Sequence, residues 1–300
     1  MTARHTHRTI DVPVVGGDLR VGVWDPADAP ADAPAVLALH GVTSSHLAWP
    51  FVVDELPGVR VIAPDLRGRG ASNALEGPAG LAAHAADLAA VLDALGLGAV
   101  PVIGHSMGAF VAVALAHRHP GRVSRLVLVD GGLPLAVPEG LTPEQLVAAI
   151  LGPTAERLQR RWRDVDEYIS EYWAEHPAFA DSWSDELEEY IAYDLVPDGE
   201  LLRPATSRRA MVQDTADMNT GDLLPAALAG LVQPALFVSV PRGLQNESPG
   251  LYPPAHRDRV LAEHPHIRHI PLADLNHYTV VMSARGAAAL RPLLRAELSA

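Results

Sequence analysis

Short apolar runs rich in β-branched residues alternate with longer stretches rich in Ala and Leu along the first half of the chain. The runs that predict strands cover residues 36–40, 59–63, 100–104 and 123–129. Continuous apolar runs are typical of strands buried on both faces of a parallel sheet. Leu81, Leu88 and Leu95 recur at helical spacing and predict a helix over residues 79–95, and a second apolar helix is expected over residues 107–117. The alternation predicts an α/β fold with a mostly parallel, doubly wound sheet.

The pattern changes after Gly131 and Gly132, where the alternation stops. From residue 133 to residue 230 no buried strand is evident, and helical segments are separated by prolines. Residues 164–200 contain thirteen Asp and Glu residues and no Arg, together with several aromatic residues. We therefore expect residues 133–230 to form an inserted helical cap with a solvated acidic outer face and an aromatic inner face.

The alternation returns near residue 235. A strand is predicted at residues 235–240, followed by a helix at 256–264, a strand at 267–271 and a final helix at 283–298. Before the first parallel strand, residues 9–24 have two glycines at their centre and predict an antiparallel hairpin at the sheet edge. The predicted organisation is a core built from residues 1–132 and 231–300, with the cap at 133–230 between its two parts.

Composition narrows the chemistry that such a fold could perform. The chain has no Cys, which excludes thiolate metal sites and cysteine nucleophiles, and its 23 basic residues are all Arg, which excludes lysine Schiff bases and phosphate-loop lysines. A net charge of −13 argues against nucleic acid and anionic membranes as partners. Residues 1–10 lack the apolar run of a signal peptide, and the Ala-rich, Arg-for-Lys usage is typical of GC-rich bacterial genomes. We expect a soluble, cytoplasmic bacterial protein.

The clearest chemical motif is the sequence GHSMG at residues 104–108, which lies between a predicted strand and a predicted helix. A serine nucleophile on a sharp strand-to-helix turn requires this context, because side chains in place of the two glycines would collide there. The alternative is that Ser106 is an ordinary helix N-cap. We favour Ser106 as a nucleophile.

A second turn can supply the groups that bind a developing negative charge. His40 and Gly41 end the first parallel strand, and the backbone N–H of Val42 can then point toward the same space as that of Met107. Two such donors form an oxyanion hole for the tetrahedral intermediate of acyl transfer. The alternative is a plain glycine turn.

His277 lies in a polar turn between the last predicted strand and the last predicted helix. From this edge of the sheet it can reach the serine hydroxyl as a general base. The histidine cluster at residues 264–269 straddles a proline and a strand, so its members would face different directions and a surface role is expected rather than metal binding. Asp65 and Arg67, just after the second strand, are expected to order a loop through hydrogen bonds rather than to react.

Taken in this order, the motifs resemble those of the α/β-hydrolase superfamily, in particular bacterial serine hydrolases with a helical cap. The resemblance extends over nearly the whole chain and rests on His40-Gly41, Pro64-Asp65-Leu66-Arg67-Gly68, Gly104-His105-Ser106-Met107-Gly108 and Asn276-His277. It implies Ser106 as nucleophile and His277 as base, with Val42 and Met107 as oxyanion donors and no cofactor. Relatives that open epoxides or carbon–halogen bonds carry Asp at the position of Ser106, so those reactions are disfavoured.

The acid of the triad is not marked by the usual residue. In most of the family it lies a few residues beyond a glycine, after the strand that follows the cap, and this chain has Asn246 there. An amide cannot stabilise the imidazolium, and such a loss costs roughly 10⁴ in rate. Two carboxylates are candidates: Asp130, at the end of a strand where a minority of the family keeps its acid, and Glu247, which adjoins Asn246. We favour Asp130 over Glu247, and the absence of any acid stays open.

The expected function is hydrolysis of a small, neutral and moderately apolar carboxylic ester or lactone through an acyl-enzyme on Ser106. Thioester cleavage, C–C bond hydrolysis and peracid formation stay open, because they use the same triad and differ in the shape of the pocket. A catalytically weak ligand-binding protein is a further alternative, motivated by Asn246.

Overall fold

The strands and helices of the protein are taken from a computed structural model, which describes residues 5–27, 33–138 and 140–299. The strands are β1 (His5–Val14), β2 (Gly17–Pro26), β3 (Ala35–Leu39), β4 (Arg60–Pro64), β5 (Val100–His105), β6 (Val123–Val129), β7 (Leu195–Asp198), β8 (Leu201–Pro204), β9 (Ala235–Ser239) and β10 (Ile267–Pro271). The helices are α1 (Pro50–Asp54), α2 (Leu81–Ala94), α3 (Met107–Arg118), α4 (Pro143–Leu151), α5 (Pro153–Arg157), α6 (Val165–Tyr168), α7 (Asp185–Tyr193), α8 (Arg208–Thr220), α9 (Leu223–Ala229), α10 (Pro254–Glu263) and α11 (Ala284–Leu298).

Eight of these strands form one mixed sheet in the order β1-β2-β4-β3-β5-β6-β9-β10. β1 and β2 are an antiparallel hairpin at one edge, and β2 is antiparallel to β4. The six strands β4, β3, β5, β6, β9 and β10 are parallel to one another. The α/β fold and the mostly parallel sheet are therefore confirmed. The ends of the predicted parallel strands lie within one residue of the observed ones, because side chains of the central strands are buried on both faces and leave a continuous apolar run.

The segment between β6 and β9 contains helices α4 to α9 and the antiparallel pair β7–β8. The β7–β8 hairpin was not predicted, because only helices were expected between residues 133 and 230. Its residues are mostly exposed or half-buried and both strands contain a proline, so they do not produce the apolar run by which a buried strand is recognised. We propose that residues 133–230 act as a cap; they are called the proposed cap below. Among the described residues, no helix is both long enough and apolar enough to cross a bilayer.

The turn between β5 and α3 is built by two close backbone approaches. A Cβ atom at Gly108 would lie 2.0 Å from the carbonyl oxygen of Leu39, and one at Gly104 would lie 2.4 Å from the Cα of Ala109. Both distances are far shorter than real Cβ contacts allow, and the nearest atoms are backbone. Helix α3 can therefore lie against β3 and β5 only while both positions are glycine, and this contact places the start of α3 at the carboxyl end of the sheet.

Substitution Gly108→Ala is expected to lower the free energy of unfolding by about 3 kcal/mol, because the added methyl group forces α3 away from β3. Urea denaturation followed by circular dichroism measures this loss. Gly121→Ala is the matched control, since nothing lies within 4 Å of a Cβ there. Equal stability of the two variants would contradict the close approach.

Candidate active site

Ser106 occupies the turn between the end of β5 and the beginning of α3. Its backbone has φ +54° and ψ −126°, a conformation that L-residues rarely adopt. Its N–H donates to the carbonyl of Val129 at 3.0 Å, which ties the turn to β6. Non-glycine residues persist in such strained geometry only where the surroundings hold them, and they cluster at functional sites. The sequence pattern at residues 104–108 therefore corresponds to a strained serine turn and not to an ordinary N-cap, whose backbone would be extended.

Asp130 and His277 are brought together at the same edge of the sheet. The Nδ1 atom of His277 lies 2.7 Å from Oδ2 of Asp130, and both side chains are buried. Asp130 directly follows β6 with φ +46°, and its N–H donates to the carbonyl of Val238 at 2.8 Å. A carboxylate at Nδ1 keeps the proton on that nitrogen and leaves Nε2 free to accept one.

Two backbone contacts hold the loop that carries His277. Its N–H donates to the carbonyl of Arg242 at 2.9 Å, and its carbonyl accepts a hydrogen bond from Nε2 of His105 at 2.7 Å. His105 is the residue before Ser106, so the serine turn and the histidine loop are joined directly. The pKa of His105 lies well below its usual value, because it is buried and faces His277. His105 is therefore neutral at pH 7.

The second candidate acid lies elsewhere. The exposed carboxylate of Glu247 accepts a hydrogen bond from the N–H of Gln245 at 2.7 Å, and no hydrogen bond or ion pair in the described part of the chain joins it to His277. Asn246 has φ +60°, and its Oδ1 accepts a hydrogen bond from Nδ2 of Asn276 at 3.2 Å. The usual acid position is thus part of an amide pair beside His277, and the geometry favours Asp130 over Glu247.

The backbone around Val42 is oriented by His40. The Nδ1 of His40 donates to the carbonyl of Gly41 at 2.7 Å, while its Nε2 accepts a hydrogen bond from the N–H of Leu66 at 2.9 Å. Because a trans peptide directs its N–H opposite to its carbonyl, this contact fixes the direction of the Val42 N–H. Burial lowers the pKa of His40 to about 3, so the ring is neutral and this pattern of one donor and one acceptor is stable.

Met107 supplies the second expected donor. It is the first residue of α3, and an N–H in the first turn has no acceptor within the helix. The partial positive charge of the helix N-terminus adds to its capacity to bind an anion. Val42, Met107, Ser106 and His277 all line one cavity.

Asp65 and Arg67 have separate bracing roles. Asp65 is buried and accepts hydrogen bonds from Nδ1 of His46 at 2.8 Å and from the hydroxyl of Tyr193 at 2.6 Å. Arg67 forms a two-pronged ion pair with Asp87, with N–O distances of 2.9 and 2.7 Å. The two residues do not pair with each other, but both order the loop after β4, and Tyr193 ties that loop to the proposed cap.

Arg69 and Asp214 were not anticipated from the sequence. Arg69 is buried, its Nε donates to the carbonyl of Val42 at 2.8 Å, and its guanidinium forms an ion pair with Asp214 on α8. Burial alone would raise the pKa of Asp214, but Arg69 and His84 more than offset this and hold it below its usual value. The two partners are 145 residues apart, so no local pattern links them. The only sequence signal is an Arg between two glycines at residues 68–70.

The cavity in front of Ser106 has a mainly aliphatic wall. Besides the candidate catalytic residues and Thr215, it is lined by Phe110, Leu135, Ile150, Leu151, Met218, Leu244 and Leu251. The aromatic residues of the proposed cap pack differently from the expectation of an aromatic inner face. Tyr168, Tyr172 and Trp173 contact one another and the buried Arg157, and they are not among the residues that line this cavity.

Known proteins provide an independent comparison. A family model for the alpha/beta hydrolase fold matches residues 34–189. The chain is similar to lipase LipV of Mycobacterium tuberculosis (strain ATCC 25618 / H37Rv), with 36% identity over 146 residues, or 46% of this chain and 54% of the lipase. The match thus spans about half the length of that relative.

Two solved structures share the fold. One is E-2-(acetamidomethylene)succinate hydrolase, with a TM-score of 0.77 and 20% identity over 97% of this chain and all (100%) of that one. The other is a thermophilic esterase from Thermogutta terrifontis, with a TM-score of 0.64 and 24% identity over 97% of this chain and 98% of that one. At these identities the likeness concerns the fold alone.

The neutral state of His40 generates a prediction about pH. Because its pKa is about 3 in the folded protein and about 6.5 in an unfolded chain, the unfolded state binds more protons between these values. Stability contributed by neutral His40 is therefore lost as the pH falls below about 6.5, by up to about 1.4 kcal/mol per pH unit. Urea denaturation between pH 7 and pH 4 should give a shallower loss for His40→Gln than for the unsubstituted protein. The exposed His266→Gln is the control, and an unchanged slope for His40→Gln would refute the assignment.

Proposed function

Because the chain belongs to the alpha/beta hydrolase fold family, we propose that it hydrolyses a neutral, moderately apolar carboxylic ester or lactone. The observation that carries the proposal is the buried contact between His277 Nδ1 and Asp130 Oδ2, at the edge of a cavity that Ser106 also lines. A serine, a histidine and a carboxylate in these roles form an acyl-transfer triad, whatever their order in the chain.

The proposed reaction uses side-chain and backbone groups of this chain together with one water molecule. Ser106 attacks the carbonyl carbon while Nε2 of His277 takes the hydroxyl proton, and the Asp130 carboxylate stabilises the imidazolium. The proton then passes from His277 to the departing alcohol, which leaves an acyl-enzyme on Ser106. Water activated by His277 attacks this ester in turn and releases the acid.

The oxyanion of each tetrahedral intermediate is bound by the N–H groups of Val42 and Met107. Losing one such donor typically costs about 3 kcal/mol in the transition state. Val42 is oriented by His40 on one side and contacted by Arg69 on the other, and both of those side chains are buried. The donor is therefore held in place before the substrate arrives, which is what electrostatic stabilisation of a transition state requires.

Three observations support a neutral, apolar ester as the substrate. The cavity wall is mainly aliphatic, so it suits apolar acyl or alkoxy groups. The relative LipV is named a lipase. The acidic surface of residues 164–200 and the net charge of −13 disfavour strongly anionic substrates.

Serine labelling tests the nucleophile. A fluorophosphonate should react with Ser106 in a ratio of about one label per chain, because the triad activates this hydroxyl. Intact-mass spectrometry measures the label, and Ser106→Ala is expected to take none. A folded protein that is not labelled would contradict the proposed serine hydrolase.

Paired substitutions test the acid. Asp130→Asn is expected to lower kcat for a p-nitrophenyl ester by roughly 10⁴, because the amide leaves the imidazolium without its counter-charge. Glu247→Gln is the matched control and is expected to change kcat by less than about tenfold. The reverse result would transfer the acid role to Glu247, and two small effects would exclude a triad of this type.

A further inference from the structure

Thr215 is the one polar residue of the cavity wall that the proposed triad and oxyanion hole do not use, among the residues that the structure describes. It lies on α8, its side chain is buried, and its Oγ1 has no hydrogen-bond partner within the protein. A buried hydroxyl without a partner costs about 1–3 kcal/mol. A threonine in a helix usually avoids this cost by bonding to a carbonyl one turn earlier. Thr215 does not, so its hydroxyl is available to a molecule in the cavity.

The position of this hydroxyl is fixed by its neighbours on α8. Asp214 pairs with Arg69, and its Oδ1 also accepts hydrogen bonds from the N–H of Gly80 at 2.6 Å and from Nε2 of His84 at 3.0 Å. Asp217 accepts from the N–H of Leu81 at 2.7 Å, at the start of α2. These contacts bind α8 to the core on both sides of Thr215 in sequence. The backbone that carries the hydroxyl is therefore held in place, and a partner would not have to bear the cost of ordering it.

The rest of the wall limits what that partner can be. Met218 lies three residues after Thr215 on the same face of α8 and lines the same cavity, as do the aliphatic residues named above. A charged group placed there would lose its hydration without gaining a counter-charge. A single neutral group, such as a keto or hydroxyl oxygen, would gain a hydrogen bond while its carbon chain packs against the aliphatic wall.

We infer that Thr215 determines specificity by hydrogen bonding to one neutral polar group on the otherwise apolar acyl or alkoxy chain of the substrate. The inference rests on the proposed function and narrows it to esters of keto- or hydroxy-substituted chains. It assigns to α8 a role in recognition, in addition to its ion pair with Arg69. Thr215 makes no contribution to the chemistry at Ser106.

The isosteric change Thr215→Val tests this inference, because it removes the hydroxyl and keeps the shape. The substrates are p-nitrophenyl hexanoate and oxohexanoates with the keto group at successive carbons, together with acetate esters of hexanol and of the matching keto-alcohols. For each series the measured quantity is the ratio of kcat/KM for the keto ester to that for the plain ester. We expect Thr215→Val to lower this ratio about tenfold for the keto position that reaches Thr215. Thr215→Ser should restore it.

Thr206→Val is the matched control. Thr206 is also buried in the proposed cap with an unpartnered Oγ1, but it does not line this cavity. Its substitution is expected to leave the ratio unchanged for every ester. A ratio that is unchanged in Thr215→Val for both series, or that falls equally in Thr206→Val, would overturn the inference.

A binding measurement separates this inference from the proposed function. Hexanamide and the matching oxohexanamides are neutral analogues that need no turnover, and ligand-observed NMR gives their affinities for the Ser106→Ala protein. A tenfold weaker preference for the keto amide in Ser106→Ala/Thr215→Val supports the role of Thr215 even if Ser106 takes no fluorophosphonate label. Successful labelling of Ser106 with no change in amide preference would leave the hydrolase standing and refute the recognition role.

Discussion

The contact between Asp130 and His277 joins two loops that are 147 residues apart in the chain. It depends on β6, β9 and β10 being successive parallel strands, so that Asp130 after β6 and the loop after β10 lie at the same edge of the sheet. The carboxyl ends of parallel strands meet at one edge, and this is where sites in open α/β sheets lie. Three features hold the Asp130 carboxylate beside Nδ1 of His277: the strand order, the left-handed backbone of Asp130 and the backbone contacts of the His277 loop.

The position of the Val42 N–H depends on two hydrogen bonds to the neighbouring carbonyl groups. His40 fixes the peptide before Val42 from inside the sheet, and Arg69 binds the carbonyl after it from the loop that follows β4. His40 is neutral and Arg69 is charged, so the first contact responds to pH and the second requires Asp214 as a buried counter-ion. Removing one partner of a buried pair is strongly destabilising, and the geometry of Val42 is therefore coupled to the folding of α8.

The parts of this architecture that could be predicted from the sequence are those with a local pattern. β3, β5, β6 and β9 leave apolar runs, and the Ser106 turn leaves two glycines at fixed spacing. The hairpin β7–β8 was missed because its residues are mostly exposed or half-buried and leave no apolar run. The ion pair between Arg69 and Asp214 was missed because its partners are 145 residues apart, and no repeating sequence pattern marks two opposite charges at such a separation. Of the aromatic residues expected on an inner face of the proposed cap, Tyr168 and Trp173 are buried but Trp183 is exposed. Composition does not show which rings are buried, nor whether the buried rings face a cavity or one another.

The ion pair between Arg69 and Asp214 gives α8 a role in the proposed cap that α4 does not share. Helix α8 is tied to α2 and, through Arg69, to the loop after β4, whereas α4 contributes Ile150 and Leu151 to the cavity and makes no hydrogen bond or ion pair with Arg69 among the described residues. Substitutions in α4 can therefore change the shape of the cavity while the ion pair that orders the backbone around Val42 is kept. In evolutionary terms, and under the proposed function, α4 is the part of the cavity wall that selection can alter without disturbing the ion pair by which Arg69 joins α8 to the backbone at Val42.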